Sequence, residues 1–234
     1  MQGMKRRTML ARTFSTVGAL GALPRTPVIA AADEPELLNL PPPDRAALPQ
    51  TLQEVLLRRR SVRSFVPRAL PLAVVSQLLW AAQGMTTVDG RRTAPSAGAL
   101  YPLELHLVAA RVEGLAAGVY RYVGKPHQLR LGIAEAVMPA LAGAALSQQA
   151  VAGAAAVVVI AAVEERTARK YGTRASRYVT FEAGAASQNL ALQAIAQGLG
   201  TVVIGAFDDA AVARVLRLPT GERAVVLMPI GVPA

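Results

Sequence analysis

The run from Ala154 to Val163 constrains the fold more than any other stretch of this chain: it is unbroken apolar sequence, rich in valine, and it ends at Glu164 and Glu165. A membrane-spanning helix needs about 20 apolar residues, so the run is too short to cross a bilayer. A β-strand covered on both faces takes such a sequence, because neither face presents a polar side chain to water. A doubly covered strand in turn demands a layer of helices on each side of its sheet. The rest of the chain supplies them. Thr51 and Glu54 form a capping box, predicting a helix to about Arg59 that buries Leu52, Val55 and Leu56. Pro71 suits the first turn of a second helix with an inward set of Val74, Val75, Leu78, Leu79 and Ala82, and Gly84 is placed to end it. Ala134 to Leu146 predicts a third helix, and Arg174 to Gln197 a long one of small and apolar residues closed by Gly198. Asp208 or Asp209 caps a short helix to Leu216.

Strands are predicted from alternation at Leu103, Leu105, Leu107 and Ala109, and from a hairpin of Gly118–Val123 and His127–Leu131 turning at Gly124-Lys125-Pro126. Thr201–Ile204 and Ala224–Ile230 complete the set. Helices and strands are mixed without strict β-α-β alternation, so the fold class is α+β, with helices packed on both sides of a sheet.

Composition narrows the function. The 234 residues suffice for one large domain, and 53% hydrophobic against 17% charged residues excludes a disordered chain. The absence of cysteine excludes disulfides, thiolate zinc sites and cysteine nucleophiles. Two histidines, His106 and His127, are a poor basis for a metal site. The net charge of +10 suggests nucleic acid only until it is mapped. Lys5, Arg6, Arg7, Arg12 and Arg25 lie within residues 1–32, which hold no acid, and the remainder has no basic run interleaved with aromatics. Nucleic acid is therefore not the expected partner.

Residues 1–32 read as an address. Lys5-Arg6-Arg7-Thr8-Met9-Leu10 resembles a twin-arginine export motif, followed by a mildly apolar stretch from Phe14 to Leu23 and by Ala30-Ala31-Ala32 before Asp33. That stretch is too short for stable membrane insertion. The expected destination is the periplasm, the other reading being an uncleaved tail on a cytoplasmic protein. Residues 33–50, with Pro35, Pro41, Pro42, Pro43 and Pro49, form a linker or an arm, and the domain is expected over 51–234.

Four clusters carry the chemistry. Arg59, Arg60, Ser61 and Arg63 leave the first helix, and guanidinium groups with a hydroxyl make a phosphate cradle. Pro95, Ser96, Ala97, Gly98 and Ala99 form a stiff loop of small residues that a flat ring can approach closely. Lys170 and Tyr171 open the segment before Arg174, Arg177 and Tyr178, and lysine is rare in this arginine-rich chain. Gly205 and Ala206 follow a strand, where backbone N–H groups can face a ligand. No GxGxxG, Walker or GxSxG motif is present, so classical dinucleotide, NTP and serine-hydrolase readings have no support.

These clusters occur in the order found in the nitroreductase superfamily. RRSVRSF resembles its N-terminal arginine element, and APSAGALYPLELHLV the form of its A-P-S loop seen in SagB-type (thiazole- and oxazole-forming) dehydrogenases. VEGLAAGVYRY, KYGTRASRYVTFEAGAASQNLALQA and GLGTVVIGAF resemble further blocks of that group, so the resemblance spans about residues 51 to 232. It implies a mainly antiparallel sheet with helices on both faces, FMN as cofactor, and a homodimer whose two subunits line each flavin. It places Arg59 and Ser61 at the phosphate and ribityl chain, and Arg63 near the pyrimidine edge. It packs the Pro95–Ala99 loop on the ring and turns the Gly205 and Ala206 backbone toward N5 and O4. Lys170 and Tyr171 are the implied base. Ala99 stands where many relatives have Asn, and no basic residue follows the last strand before Ala234, so Arg174 or Arg177 is expected to complete the phosphate clamp. The implied activity is hydride transfer to or from flavin with a small-molecule or peptide-derived substrate, NAD(P)H being one possible electron donor. A flavin-binding carrier or sensor without turnover is the alternative.

Overall fold

A computed structural model describes residues 36–44, 46 and 50–234. The export signal read in residues 1–32 lies outside the described residues. Among the described residues, seven strands form one sheet in the order β1-β4-β3-β2-β5-β7-β6, every named pair being antiparallel. The strands are β1 (Leu37–Asn39), β2 (Leu103–Ala109), β3 (Gly118–Val123), β4 (Gln128–Ile133), β5 (Ala156–Ala162), β6 (Gly200–Thr201) and β7 (Arg223–Gly231). The valine-rich run is the buried β5, flanked by β2 and β7, and every one of its residues is out of solvent. Both edge strands are short, which leaves little unpaired backbone for another chain to join.

Helices cover both faces, as the sequence requires. On one, α2 (Leu72–Gln83) and α6 (Ala175–Ala196) pack Leu78, Leu79, Val179, Ala186 and Leu190 against Leu105, Leu107, Val158 and Ile160. On the other, α3 (Met138–Ala144), α4 (Gln149–Ala152) and α7 (Asp209–Leu216) pack Leu141, Val151, Val212 and Leu216 against Val108, Val157, Val159 and Leu227. Fully buried side chains such as Ile160 and Leu227 each contribute roughly 1.5–3 kcal/mol by leaving water. The architecture is α+β, one antiparallel sheet with helices packed on both faces.

Local signals are realised in detail. The capping box at the start of α1 (Leu52–Arg58) has both of its bonds, and Asp208 caps α7 by accepting from the Ala211 N–H at 2.8 Å. The structure departs from the sequence expectations at four places. The third helix starts at Met138 rather than Ala134, since Pro139 favours the first turn and β4 runs on to Ile133. The strand expected over Thr201–Ile204 reduces to Gly200–Thr201 and an isolated bridge from Ile204 to Leu227. A helix not expected from the sequence, α5 (Glu165–Tyr171), fills the stretch after β5, so Lys170 and Tyr171 end it just before the long α6 begins at Ala175. Gly172, with φ +54°, breaks the chain between α5 and α6 in a conformation other residues rarely adopt. Finally, of the three residues expected to be buried on α1 only Val55 is, with Leu52 61% and Leu56 49% exposed, because none of the described residues covers that face.

The proline-rich arm is fastened to the domain. Leu37–Asn39 pair with β4, and Asp44 exchanges two bonds with the Gln77 side chain. His127 holds the arm at its centre. Its carbonyl accepts from the Leu40 N–H, its Nε2 lies 2.7 Å from Ser76 Oγ, and its Nδ1 lies 2.8 Å from the Tyr122 hydroxyl. Ser76 donates to the Pro41 carbonyl, so its oxygen accepts from Nε2–H and Nδ1 accepts from Tyr122. This arrangement needs a neutral ring, and burial pushes the His127 pKa below its ordinary 6.5. Because the folded value is depressed, the contribution to stability is complete above pH 6.5 and is lost as pH falls through the lowered value. Denaturation midpoints should fall on acidification across that window, and His127→Gln should flatten this part of the profile; an unaltered slope in the variant would rule out the assignment.

Candidate functional site

The loop from Pro95 to Tyr101 is held in a costly shape by its surroundings. Gly98, Ala99 and Tyr101 have φ of +61°, +54° and +45°, and the two that are not glycine cost about 1–3 kcal/mol each. Four contacts enforce the shape. Ser96 Oγ accepts from the Tyr101 N–H at 2.8 Å, Glu182 Oε1 accepts from the Ala97 N–H at 2.9 Å, and Arg166 donates to the Tyr101 carbonyl at 3.0 Å. The Arg92 guanidinium lies 4.6 Å from the centre of the Tyr101 ring. Pro95, Gly98 and Ala99 are left exposed.

Lys170 and Tyr171 come together over this loop. A Cβ added at Gly98 would stand 2.9 Å from the Tyr171 hydroxyl and 3.0 Å from Lys170 Nζ. Both polar tips therefore converge on one point above a residue that has no side chain to obstruct them. Tyr178 packs edge-on against Tyr171, with ring centres 4.8 Å apart, and fixes its ring. The second and third sequence clusters thus form one assembly at the α5–α6 junction.

The first and fourth clusters form another. The segment after α1 runs beside β6: the Val62 N–H donates to the Thr201 carbonyl at 2.9 Å, and Ser61 bridges Thr201. Gly200 is required here, because a Cβ would come within 2.6 Å of Val62. Ser61 and Arg63 are exposed and Arg59 is half-buried, and neither arginine has a carboxylate partner among the described residues. Arg60 has a local role, donating to the Leu57 and Arg59 carbonyls at the end of α1. Beyond Ile204, Gly205 and Ala206 are exposed, and neither N–H has an acceptor among the described residues. Thr201 Oγ1 is buried without a partner among the described residues where the arginine segment crosses.

The two assemblies occupy opposite ends of α6. Glu182, which holds the loop, is about 20 Å along the helix from Ala196, which precedes Gly200. Arg174 and Arg177, exposed at the start of α6, belong with the loop and not with Ser61 of the same chain. The donor set fits a flavin mononucleotide in kind. Free cations and a hydroxyl suit its phosphate, a loop poor in side chains suits its ring, and unpaired N–H groups suit its ring acceptors.

Three positioning residues escaped the sequence reading. Glu182 is the one acid of α6, yet it is buried, and burial raises its pKa against the bonds from Ala97 and Ser96 that lower it. An acid alone on a small-residue helix was the available signal. Arg166 and Arg92 gave none, being two arginines among many.

A layered α+β domain with a strained small-residue loop beneath a Lys-Tyr pair defines a class. The family model described as "Nitroreductase family" matches residues 56–232, and the chain belongs to that family. A nitroreductase homologue of Methanocaldococcus jannaschii is 44% identical over 180 residues, which is 77% of this chain and 90% of that protein. A crystal structure of a homologue from Ralstonia eutropha JMP134 superposes with a TM-score of 0.75 at 29% identity, covering 92% of this chain and 96% of the other. One from Anabaena variabilis gives 0.74 at 27% identity over 86% of this chain, which spans only 42% of that longer protein. At 22% identity and a TM-score of 0.57, covering 78% of this chain and 68% of the other, the NADPH:FMN oxidoreductase of Vibrio harveyi shares the fold.

Proposed function

We propose that this chain is an FMN-dependent oxidoreductase of the SagB type, acting as a homodimer on a small-molecule or peptide-derived substrate. The observation that carries the reading is the convergence of Lys170 Nζ and Tyr171 Oη over Gly98, in a chain whose family is established. Arg59, Ser61 and Arg63 hold the FMN phosphate and the pyrimidine edge, where a fixed cation opposes the negative charge that builds up on reduction. The Pro95–Ala99 loop supports the ring, and the Gly205 and Ala206 N–H groups bind its acceptors. FMN, when bound, supplies two-electron redox chemistry. Lys170 and Tyr171 take up or return the proton that accompanies it at a substrate carbon. Glu182 and Arg166 keep the loop in place by its backbone.

Separation of the half-sites along α6 supports a dimeric site, each flavin taking the arginine segment of one subunit and the loop of its partner. Leu57 on α1, Phe181 on α6 and Val203 beside Gly205 are 73%, 64% and 53% exposed, which suits a face that a second copy covers. Residues 1–32 support export of the folded, loaded protein to the periplasm.

The full chain should purify yellow, and heating should release FMN and not FAD, as resolved by chromatography of the supernatant. A colourless protein that takes up no added FMN would overturn the proposal.

A further inference from the structure

A cavity of about 480 Å³ opens where the start of β2, the end of β3 and the Gly124-Lys125 turn meet the segment after α2. Arg92, Arg121, Lys125 and Arg130 line it, and Glu104 is its one acid among the described residues. Glu104 is already engaged on both oxygens, with Arg121 at 3.0 Å and Arg166 at 2.5 Å. Arg92, Lys125 and Arg130 have no carboxylate within 4.0 Å among the described residues.

Two features of this wall call for an anion. Arg92 is half-buried, where a guanidinium commonly has a charged partner, yet among the described residues it donates only to Gln83 Oε1 at 2.9 Å and otherwise lies on the Tyr101 ring. In addition, Arg121 and Arg130 stand directly opposite each other on β3 and β4. Like charges at facing positions repel, and Glu104 answers only one of the two. An anion in the cavity relieves both conditions.

We propose that this cavity binds a phosphate group, free or carried as a phosphate monoester. A dianion matches three unanswered cations better than a monocarboxylate does, and guanidinium forks suit its oxygens. The site is distinct from the arginine segment assigned to FMN, since it is built on the β2–β3–β4 part of the sheet. It adjoins the loop through the stacking of Arg92 on Tyr101.

Calorimetric titration of inorganic phosphate, and separately of glycerol 3-phosphate, into the FMN-saturated full chain at low ionic strength tests the assignment. If the chain takes up no FMN, the same titrations are made on it as purified, with Arg63→Ala as comparison. Saturable binding of either probe is expected, and the probe that binds more tightly tells free ion from ester. Arg130→Gln, at an exposed strand position where folding is safe, and Arg92→Gln should each weaken binding roughly tenfold or more, as loss of a charge-assisted bond does. Unchanged affinity in both variants, no saturable heat, or tighter binding of succinate than of phosphate would each overturn the proposal. So would a loss confined to Arg63→Ala, which would place the phosphate on the arginine segment.

Discussion

Tyr171→Phe should slow the redox half-reaction by about 10²–10⁴ while leaving FMN content near normal, the range expected when a positioned proton-transfer group is removed. The change keeps the ring that packs on Tyr178 and removes only the hydroxyl that stands over Gly98. Lys170→Ala should have a loss of similar size, since its Nζ converges on the same point above Gly98. The double variant should lose less than the product of the single effects, because the two groups act as a unit. Single-turnover bleaching of the flavin, with substrate mixed in stopped flow, reads the step directly. Loss of FMN from both variants would recast the pair as structural. Full activity in both would leave simple hydride transfer from NAD(P)H as the better description.

Much of the architecture was legible because it rests on local physics. The apolar run of β5 admits one burial pattern, and the Thr51–Glu54 box and the Asp208 cap are set by bonds within a few residues of sequence. What was not legible depends on contacts between distant segments. The stretch after β5 has no apolar periodicity to mark it as helical, yet α5 forms there and ends at Gly172. The site divides along the same line. Its residue types were readable in four clusters, and their pairing into two assemblies was not. That pairing depends on Val62 lying against Gly200, and on Gly98 lying beneath Tyr171.

The residues that escaped notice share a feature. Glu182 and Arg166 each bond to the backbone of the loop, at Ala97 and Tyr101, across 85 and 65 residues of sequence. Their bonds offset the cost of positive φ at Ala99 and Tyr101, and strain of that kind has no sequence signature other than the small residues that permit it.

Mixing two inactive variants should restore activity. The variants are the double substitution Arg59→Ala/Arg63→Ala, which damages the arginine segment, and Tyr171→Phe, which damages the pair over the loop. In one chain these groups lie at opposite ends of α6, so in a dimer with shared sites each flavin draws one group from each subunit. A heterodimer of the two variants then has one site with both defects and one with neither. Random assembly makes half of all dimers mixed, so about a quarter of wild-type activity should return on co-expression, although each parent is nearly inactive alone. The recovered fraction should also bind FMN at the intact site, visible as flavin absorbance above that of the arginine variant. Co-expressed material no more active than its two parents, with both dimeric by light scattering, would mean that each site is built within one subunit. A monomeric mass with FMN bound would mean the same, and the exposed Leu52, Leu56 and Leu57 of α1 would then need another occupant.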